Sequence, residues 1–229
     1  MVVKLAPTAV PGGGSCAETV QGAGYHKKRV DSMRLISLLK SEAVRHGLLD
    51  ANAEVDPATV FLLVRDMPYR RASDRRPETI IQEWQGTCSG KHYLLQALFA
   101  ELGLRSQVMA CTTFTPVDPA HVPVDVFPLY EAANRRFVDV HNYLLVSLDG
   151  DRTMVVDATW PLATRAAGRV VNERFVLGED QQIAEPPLET WPVPAGQDPQ
   201  AFKEQLLQTH FTPAELKYRE LVIQWLSQN

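Results

Sequence analysis

The sequence has few cysteines and no long hydrophobic run. Its three cysteines stand far apart, at positions 16, 88 and 111, and none belongs to a CxxC motif. Such spacing predicts neither a disulfide framework nor a compact zinc knuckle, and it favours free thiols in a reducing compartment. No apolar run approaches the roughly 20 residues of a membrane-spanning helix, and the first ten residues lack the apolar core of a secretory signal. We therefore expect a cytoplasmic protein.

An excess of basic residues is also missing. The 23 Lys and Arg residues stand against 27 Asp and Glu residues, which gives a formal net charge of -4. Because nucleic-acid-binding domains normally carry a basic surface, we expect neither a nucleic acid nor an anionic membrane as a partner. A hydrophobic content of 45% is typical of a globular protein that buries an ordinary core.

Glycine and proline in residues 1–24 predict an irregular leader. Residues 25–229 are then interpreted as a single domain, with a core at about residues 57–162 and a helical C-terminal extension at about residues 198–228.

Helices are predicted in the first part of this domain, because apolar residues recur there at helical spacing. Asp56 and Pro57 supply an N-cap and a first-turn proline. The predicted helices cover residues 31–47, the segment from Pro57 to Pro68, residues 77–84 and residues 88–102. A further helix begins at the capping box of Thr212 and Glu215 and would dock on the core.

Strands are predicted from the β-branched and aromatic runs that follow, at residues 107–113, 124–130, 136–148 and 153–158. Asp149-Gly150 between the last two runs indicates a hairpin. Helices followed by an antiparallel sheet form the α+β pattern. The prolines between residues 186 and 199 predict an irregular surface connection.

Cys88 stands at the start of a predicted helix, directly after Gly86-Thr87. Unpaired N–H groups and the positive end of the helix dipole stabilise a thiolate there, and also the oxyanion of a tetrahedral intermediate. A lone cysteine on a helix is more often a packing residue than a nucleophile, so this segment alone leaves both interpretations open.

His141 and Asp157 lie on the two strands of the predicted hairpin, where their side chains can share a face. A carboxylate in that position orients an imidazole that acts as base for a thiol. Taken singly, His141 also fits a core histidine and Asp157 a turn cap. Together with Cys88 they predict a catalytic triad.

These segments, in this order, resemble the transglutaminase-like superfamily of papain-like cysteine enzymes over about residues 64–160. The shared features are Gly-Thr-Cys88 opening a helix that ends in Leu-Gly-Leu, a histidine on a strand, and a hairpin leading to Val-Asp157-Ala-Thr-Trp. The resemblance implies a papain/transglutaminase-like core in which the catalytic helix packs on an antiparallel sheet, with additional N- and C-terminal helices. The sequence departs from the family at Asn142-Tyr143, where a small residue and Trp are usual, and this leaves specificity open.

What the resemblance implies chemically is a Cys-His-Asp triad. Cys88 would be the nucleophile, His141 the general base and then acid, and Asp157 its orienting partner. The expected activity is acyl transfer or hydrolysis of an amide, isopeptide, ester or thioester through an acyl-enzyme, without a cofactor, on a peptide, protein or small acyl substrate. The alternative is a catalytically silent binding module that recruits a partner through the Pro-rich segment and the last helix.

Several other residues are candidates for the site. Gln82, with Trp84 and Gln85 as competitors, is an oxyanion-hole candidate, because papain-like enzymes place a glutamine six residues before the cysteine. Candidate substrate-binding residues are His92, Arg70, Arg71, Tyr143 and Trp160. The basic cluster Arg70, Arg71, Arg75 and Arg76 could steer an anionic substrate or form a solvated face.

Two further alternatives concern histidines. Cys88 and His92, four residues apart on one helix, could bind zinc, but no further ligand pair at zinc-like spacing accompanies them. The loop at residues 115–128 could cover the cleft, and its His121 could replace His141 as base, although a loop positions a base less well than a strand.

Overall fold

Seven α-helices lie along residues 35–226, the part of the chain that the computed structural model describes. The predicted leader, Cys16 included, lies outside the described residues. The helices are α1 (Leu35–Arg45), α2 (Pro57–Asp66), α3 (Pro77–Glu83), α4 (Cys88–Glu101), α5 (Phe127–Ala132), α6 (Pro199–His210) and α7 (Pro213–Leu226). Two 3-10 helices, Pro119–His121 and Leu162–Ala167, are also present. Within the described range, no helix is long and apolar enough to cross a bilayer.

The predicted starts of the later helices, α2, α3, α4 and α7, are confirmed, whereas the predicted start of the first helix, at Asp31, lies outside the described residues. Asp56 caps α2 by accepting a hydrogen bond from the Thr59 N–H at 2.7 Å. Thr212 and Glu215 form the predicted capping box of α7, since the Glu215 carboxylate accepts from the Thr212 N–H at 2.9 Å and the Thr212 hydroxyl accepts from the Glu215 N–H at 3.3 Å. Each cap satisfies N–H groups that a helix end otherwise leaves without partners.

Four antiparallel strands form one sheet in the order β3-β2-β1-β4. They are β1 (Ser106–Pro116), β2 (Arg136–Ser147), β3 (Thr153–Val156) and β4 (Thr190–Pro192). The β2–β3 hairpin is the predicted one, with Gly150 at its centre at φ 69. The α+β class is therefore confirmed.

One predicted strand is wrong, and one strand was not predicted. Residues 124–130 form no strand, because Pro128 sits in the first turn of α5 and a sheet would leave it without an N–H to donate. The three-residue strand β4 lies inside the predicted Pro-rich connection. Among the described residues it pairs with β1 alone, at the sheet edge, where Pro192 is tolerated.

Helix α4 packs against β1 and β2 and forms the centre of the main core. Its Leu94, Leu95, Leu98 and Phe99 are fully buried, as are Val140, Leu144 and Val146 of β2. Each such side chain contributes about 1.5–3 kcal/mol on burial. This packing fixes the N-terminus of α4 relative to the middle of β2.

The C-terminal helices dock on the same sheet. Phe202, Leu206 and Leu207 of α6 belong to the main core, whereas Tyr218 of α7 packs on Tyr130 of α5. The buried Glu215 carboxylate also accepts a hydrogen bond from Arg136, the first residue of β2, at 2.8 Å. The start of α7 is thereby held at the end of β2 that precedes His141.

Candidate active site

Cys88 is the first residue of α4 and lines a cavity of about 400 Å³. Its side chain is only 2% exposed. The preceding Thr87 does not cap the helix with its side chain, so no hydroxyl covers the first N–H groups of α4. Those N–H groups and the helix dipole favour negative charge at the sulfur.

The helix end that carries Cys88 is attached to the sheet through a buried amide. The Ser89 hydroxyl donates to Asn142 Oδ1 at 3.0 Å, and Asn142 Nδ2 donates to the Met109 carbonyl at 3.1 Å. Asn142 is fully buried. The residue at which the sequence departs from the transglutaminase-like pattern is thus an anchor between α4, β2 and β1.

His141 and Asp157 form a short hydrogen bond. His141 Nε2 donates to Asp157 Oδ2 at 2.7 Å, and both side chains are almost completely buried. Two backbone N–H groups, of Thr159 and Ala184, also donate to the carboxylate, at 2.9 and 2.8 Å. The carboxylate that orients the imidazole is therefore itself held in position by the backbone.

The strand register explains why the side chains of His141 and Asp157 lie close together. Leu144 pairs with Val156, the last residue of β3, so Asp157 emerges from the strand directly after the ladder ends. From there its side chain reaches diagonally back to His141 on β2. With Nε2 held by Asp157, Nδ1 is the ring nitrogen that remains to face the thiol of Cys88, and each of these two side chains shifts the pKa of the other.

The electrostatics of the pair favour charged forms. Burial is the largest influence on His141 and opposes its protonation, but Asp157 and Cys88 outweigh burial and raise the pKa of His141 to about 10. Burial also works against an ionised Asp157, yet His141 holds the pKa of this carboxyl well below its usual range. The imidazole is therefore protonated at neutral pH.

A lysine that sequence reasoning missed lies beside the thiol. Lys203 of α6 places Nζ 3.6 Å from Cys88 Sγ and 3.2 Å from Ser89 Oγ. Burial, the largest influence, raises the pKa of Cys88, but Lys203 and His141 together lower it to about 6. At neutral pH the site therefore holds a thiolate and an imidazolium.

Asp139 and Arg219 complete the charged surroundings of the cysteine. Arg219 of α7 donates to Asp139 Oδ1 through Nε at 2.8 Å, and its Nη2 lies 2.6 Å from the same oxygen. Asp139 precedes His141 by two residues on β2 and lines the Cys88 cavity. Lys203 Nζ is 3.6 Å from this carboxylate.

His92 is a structural residue in this arrangement, which corrects its prediction as a substrate-binding residue. The ring is fully buried, its Nδ1 donates to the Cys88 carbonyl at 2.7 Å, and its Nε2 accepts from the Ala158 N–H at 2.9 Å. Burial lowers its pKa to about 4. Neither ring nitrogen is left for a substrate or, with Cys88, for zinc.

The three predicted oxyanion-hole side chains lie outside the cavity. Gln82 is exposed on α3, and Gln85 donates to the Arg71 carbonyl at 2.9 Å. Trp84 adopts a left-handed conformation at φ 51 and packs its ring on His46 with centroids 4.8 Å apart. The prediction fails because Gln82 faces solvent on α3 and the left-handed Trp84 ends that helix, so none of the three side chains lines the cavity.

The basic cluster reaches the cavity only in part. Arg71 and Arg75 line it, but Arg71 pairs with Glu220 of α7 at 2.7 Å, and Arg76 is tied to Asp74. The lining contains as many acidic as basic side chains: Arg71, Arg75, Lys203 and Arg219 against Asp74, Asp139, Glu204 and Glu220. A general attraction for anionic substrates is therefore not built in.

The other substrate-binding candidates, Tyr143, Trp160 and Arg70, do not line the Cys88 cavity. Tyr143 is buried beside Met109 and Cys111, with its ring stacked on His141 at 6.5 Å. Trp160 lines a second cavity, of about 150 Å³, together with His141. Arg70 and Trp160 both line a third, mainly apolar groove.

Tyr69 separates the two cavities at the triad. It lines both, and its ring lies 4.3 Å from that of Trp160. The predicted lid contributes little, since only Thr115 and Val117 reach the second cavity. His121 has a side chain that is 81% exposed and cannot replace His141.

The missed residues share a sequence signal. Lys203 interrupts the apolar stripe of α6 formed by Phe202, Leu206 and Leu207, and Asp139 stands among the buried valines of β2. A charge on an apolar face indicates a buried partner. Which partner it has cannot be inferred from local spacing.

Over residues 35–226, no three His, Cys, Asp or Glu side chains are grouped as a metal site would require. Comparisons of the chain with protein-family models, with curated proteins and with solved structures find no match.

Proposed function

We propose that the protein is a cysteine-dependent acyl-transfer enzyme, a hydrolase or acyltransferase, with a papain/transglutaminase-like core. One arrangement carries the proposal: Asp157 holds His141 through a hydrogen bond, His141 and Cys88 lie close enough to shift each other's pKa, and Cys88 lines a cavity. The cysteine at the start of α4 and the histidine on the adjoining strand β2 agree with the resemblance to the transglutaminase-like superfamily.

The reaction begins with attack of the Cys88 thiolate on a carbonyl carbon. The new S–C bond pushes the carbonyl electron pair onto oxygen, and the oxyanion then collapses as the leaving group takes a proton from His141. In the second half, His141 removes a proton from water or an amine, which attacks the thioester and releases Cys88. Asp157 keeps the imidazole oriented throughout.

The substrate is an amide, isopeptide, ester or thioester of a peptide, a protein or a small molecule. Two cavities meet at the triad, one at Cys88 and one at His141, which supports separate positions for the acyl group and for the leaving group or acceptor. Cys88 and Cys111 are both free thiols, which supports a location in the reducing cytoplasm.

Acyl-enzyme trapping tests the proposal. The protein is mixed with p-nitrophenyl esters and with small-molecule acyl thioesters, quenched in acid within milliseconds, and analysed by intact mass and peptide mapping. We expect a burst of one equivalent of nitrophenol and an acyl adduct on Cys88. Cys88→Ser should abolish both signals, whereas Cys111→Ala, at a buried thiol outside the triad, should retain them.

The silent binding module predicts a different result. No acyl adduct would then form at Cys88 with any ester or thioester, and iodoacetamide at pH 6 to 7 would modify Cys88 as slowly as Cys111. That combination would reject catalysis.

A further inference from the structure

Burying Lys203 costs free energy unless neighbouring groups stabilise its charge. Its side chain lies on the inward face of α6 beside Phe202 and Leu206 and is only 4% exposed. A lysine at a helix surface usually extends its ammonium group to water. Here the ammonium group is desolvated, so its neighbours must stabilise it.

Asp139 alone does not explain where the ammonium group lies. The carboxylate already has a closer cation, Arg219 Nη2 at 2.6 Å. Lys203 Nζ is as far from Asp139 Oδ1 as from Cys88 Sγ, 3.6 Å in each case, and it donates to Ser89 Oγ at 3.2 Å. The lysine is therefore placed between the carboxylate and the sulfur.

The charges around Cys88 and His141 are distributed unevenly. At the sulfur end, Lys203 and Arg219 lie against the carboxylate of Asp139, which leaves one positive charge in excess within this cluster, and the buried Lys91 of α4 is a further cation that interacts with Cys88. At the imidazole end, Asp157 supplies one negative charge. Moving a proton from Cys88 to His141 places the thiolate beside the excess cation and the imidazolium beside the anion, so both ends favour the transfer.

From this geometry we propose that Lys203 is a fourth catalytic residue, the counter-ion of the Cys88 thiolate and a donor to the oxyanion that replaces it. The second role rests on the proposed function. When the S–C bond forms, the negative charge leaves the sulfur for the carbonyl oxygen, and the ammonium group beside the sulfur can follow it over a short distance. This role also fits the absence of Gln82, Trp84 and Gln85 from the cavity lining.

The C-terminal extension thereby contributes to catalysis. Lys203 comes from α6 and Arg219 from α7, whereas the triad comes from α4, β2 and the end of β3. The extension thus supplies the positive charge of the site, beyond covering the core.

The experiment measures the rate of iodoacetamide modification of Cys88 between pH 4.5 and 10 in the full chain. In the unaltered protein we expect a rise centred near pH 6. Lys203→Met should move that midpoint upward by at least one pH unit, with at least a tenfold lower rate at pH 6. Lys203→Arg should recover most of the loss. The matched control is Lys217→Met, an exposed lysine of α7, and it should leave the profile unchanged.

Asp139→Asn provides a test of opposite sign. It removes the anion that competes with the thiolate for Lys203 and Arg219, so the midpoint should fall below that of the unaltered protein. It serves as the deciding variant if Lys203→Met does not fold, as judged by circular dichroism. A profile unaltered in Lys203→Met, or a midpoint that rises in Asp139→Asn, would overturn the counter-ion role.

The oxyanion role has its own readout. With a p-nitrophenyl ester, Lys203→Met assayed at a pH where its thiol is fully ionised should still lose at least tenfold in the acylation rate constant, with KM little changed. An unchanged rate constant there would overturn this role while leaving the counter-ion role standing. If no acyl-enzyme forms on Cys88 in the unaltered protein, the proposed function fails, while the alkylation profiles still decide the counter-ion role.

Discussion

His92 Nε2 accepts a hydrogen bond from the Ala158 N–H at 2.9 Å, while Nδ1 of the same ring donates to the Cys88 carbonyl at 2.7 Å. One neutral imidazole thus joins the helix turn that carries Cys88 to the segment that carries Asp157. Protonation of Nε2 would remove an acceptor from a buried N–H group.

We expect acid to weaken the fold through this ring. The pKa of His92 is lowered by burial to about 4, below the ordinary value of 6.5 that it regains on unfolding. Its contribution is complete above pH 6.5 and is lost as the pH falls towards 4, because only the unfolded chain binds the proton in that window. The free energy of unfolding should fall by on the order of 2–3 kcal/mol between pH 6.5 and 4.5, measured by urea denaturation.

His92→Gln is the variant to compare, because the Gln amide oxygen can accept from Ala158 but does not titrate. Its free energy of unfolding should be lower than that of the unaltered protein at pH 7 and should change little between pH 6.5 and 4.5. His121→Gln, on a side chain that is 81% exposed, is the control and should follow the unaltered protein. An equally steep acid dependence in His92→Gln would assign the effect to other groups.

The position of Cys88 at a helix start and the meeting of His141 with Asp157 could be predicted from the sequence, because each of these residues has a local signal. Cys88 follows a Gly-Thr turn at a helix start, and His141 and Asp157 flank a hairpin with Gly150 at its centre. Such signals depend on a few neighbouring residues, and they fix helix starts and strand pairing.

Lys203 and Arg219 could not be predicted in this way. Lys203 is 115 residues from Cys88 along the chain, and only the docking of α6 and α7 on the sheet brings the two together. The oxyanion candidates failed for a related reason, since spacing along the chain does not reveal the left-handed turn at Trp84 that ends α3. The strand prediction at residues 124–130 was wrong because β-branched residues favour strands, whereas Pro128 lies in the first turn of a helix there.

Catalysis should depend on pH at two points. The thiol of Cys88 loses its proton near pH 6, so kcat/KM should rise through that value. The imidazolium of His141 loses its proton near pH 10, and above it no acid remains to protonate an amine leaving group. An anilide or amide substrate should therefore show a bell-shaped profile between about pH 6 and about pH 10.

A p-nitrophenyl ester provides the contrast, because nitrophenolate leaves without a proton. Its acylation rate should keep the acid limb and lack the alkaline limb. If both substrates lost activity together above pH 10, unfolding rather than the ionisation of His141 would explain the decline, and circular dichroism at that pH distinguishes the two.

Asp157→Asn should damage both the rate and the fold. An asparagine offers one carbonyl oxygen where the carboxylate accepts from His141, Thr159 and Ala184, so at least one buried donor loses its partner. We expect kcat to fall by about 10²–10⁴-fold, as when the orienting acid of a triad is neutralised. Stability should fall by about 2–4 kcal/mol.

The matched control is Asp151→Asn, which removes the same charge from the exposed turn of the same hairpin. It should change the free energy of unfolding by less than about 0.5 kcal/mol. Equal losses of stability in the two variants would show that loss of any carboxylate destabilises this hairpin and that the contacts of Asp157 contribute no more than those of Asp151.

Gly90 tests how tightly the turn after Cys88 is packed. A Cβ at this position would lie 2.7 Å from Ile80 Cδ1, and the next contact, to Ile80 Cγ1, is at 3.5 Å. Alanine in a helix normally gains up to about 1 kcal/mol over glycine. The overlap with a fully buried isoleucine costs about 1–3 kcal/mol, so Gly90→Ala alone should be destabilising.

The sign should reverse when Ile80 is shortened, because Ile80→Val removes the Cδ1 atom and leaves only an ordinary contact for the new methyl group. Ile80→Val alone should cost about 0.5–1.5 kcal/mol, and adding Gly90→Ala to it should recover part of that loss. Urea unfolding of the four proteins gives the coupling between the two sites. If Gly90→Ala were equally destabilising in both backgrounds, the backbone of the Cys88 turn, and not the Ile80 methyl group, would be what requires glycine.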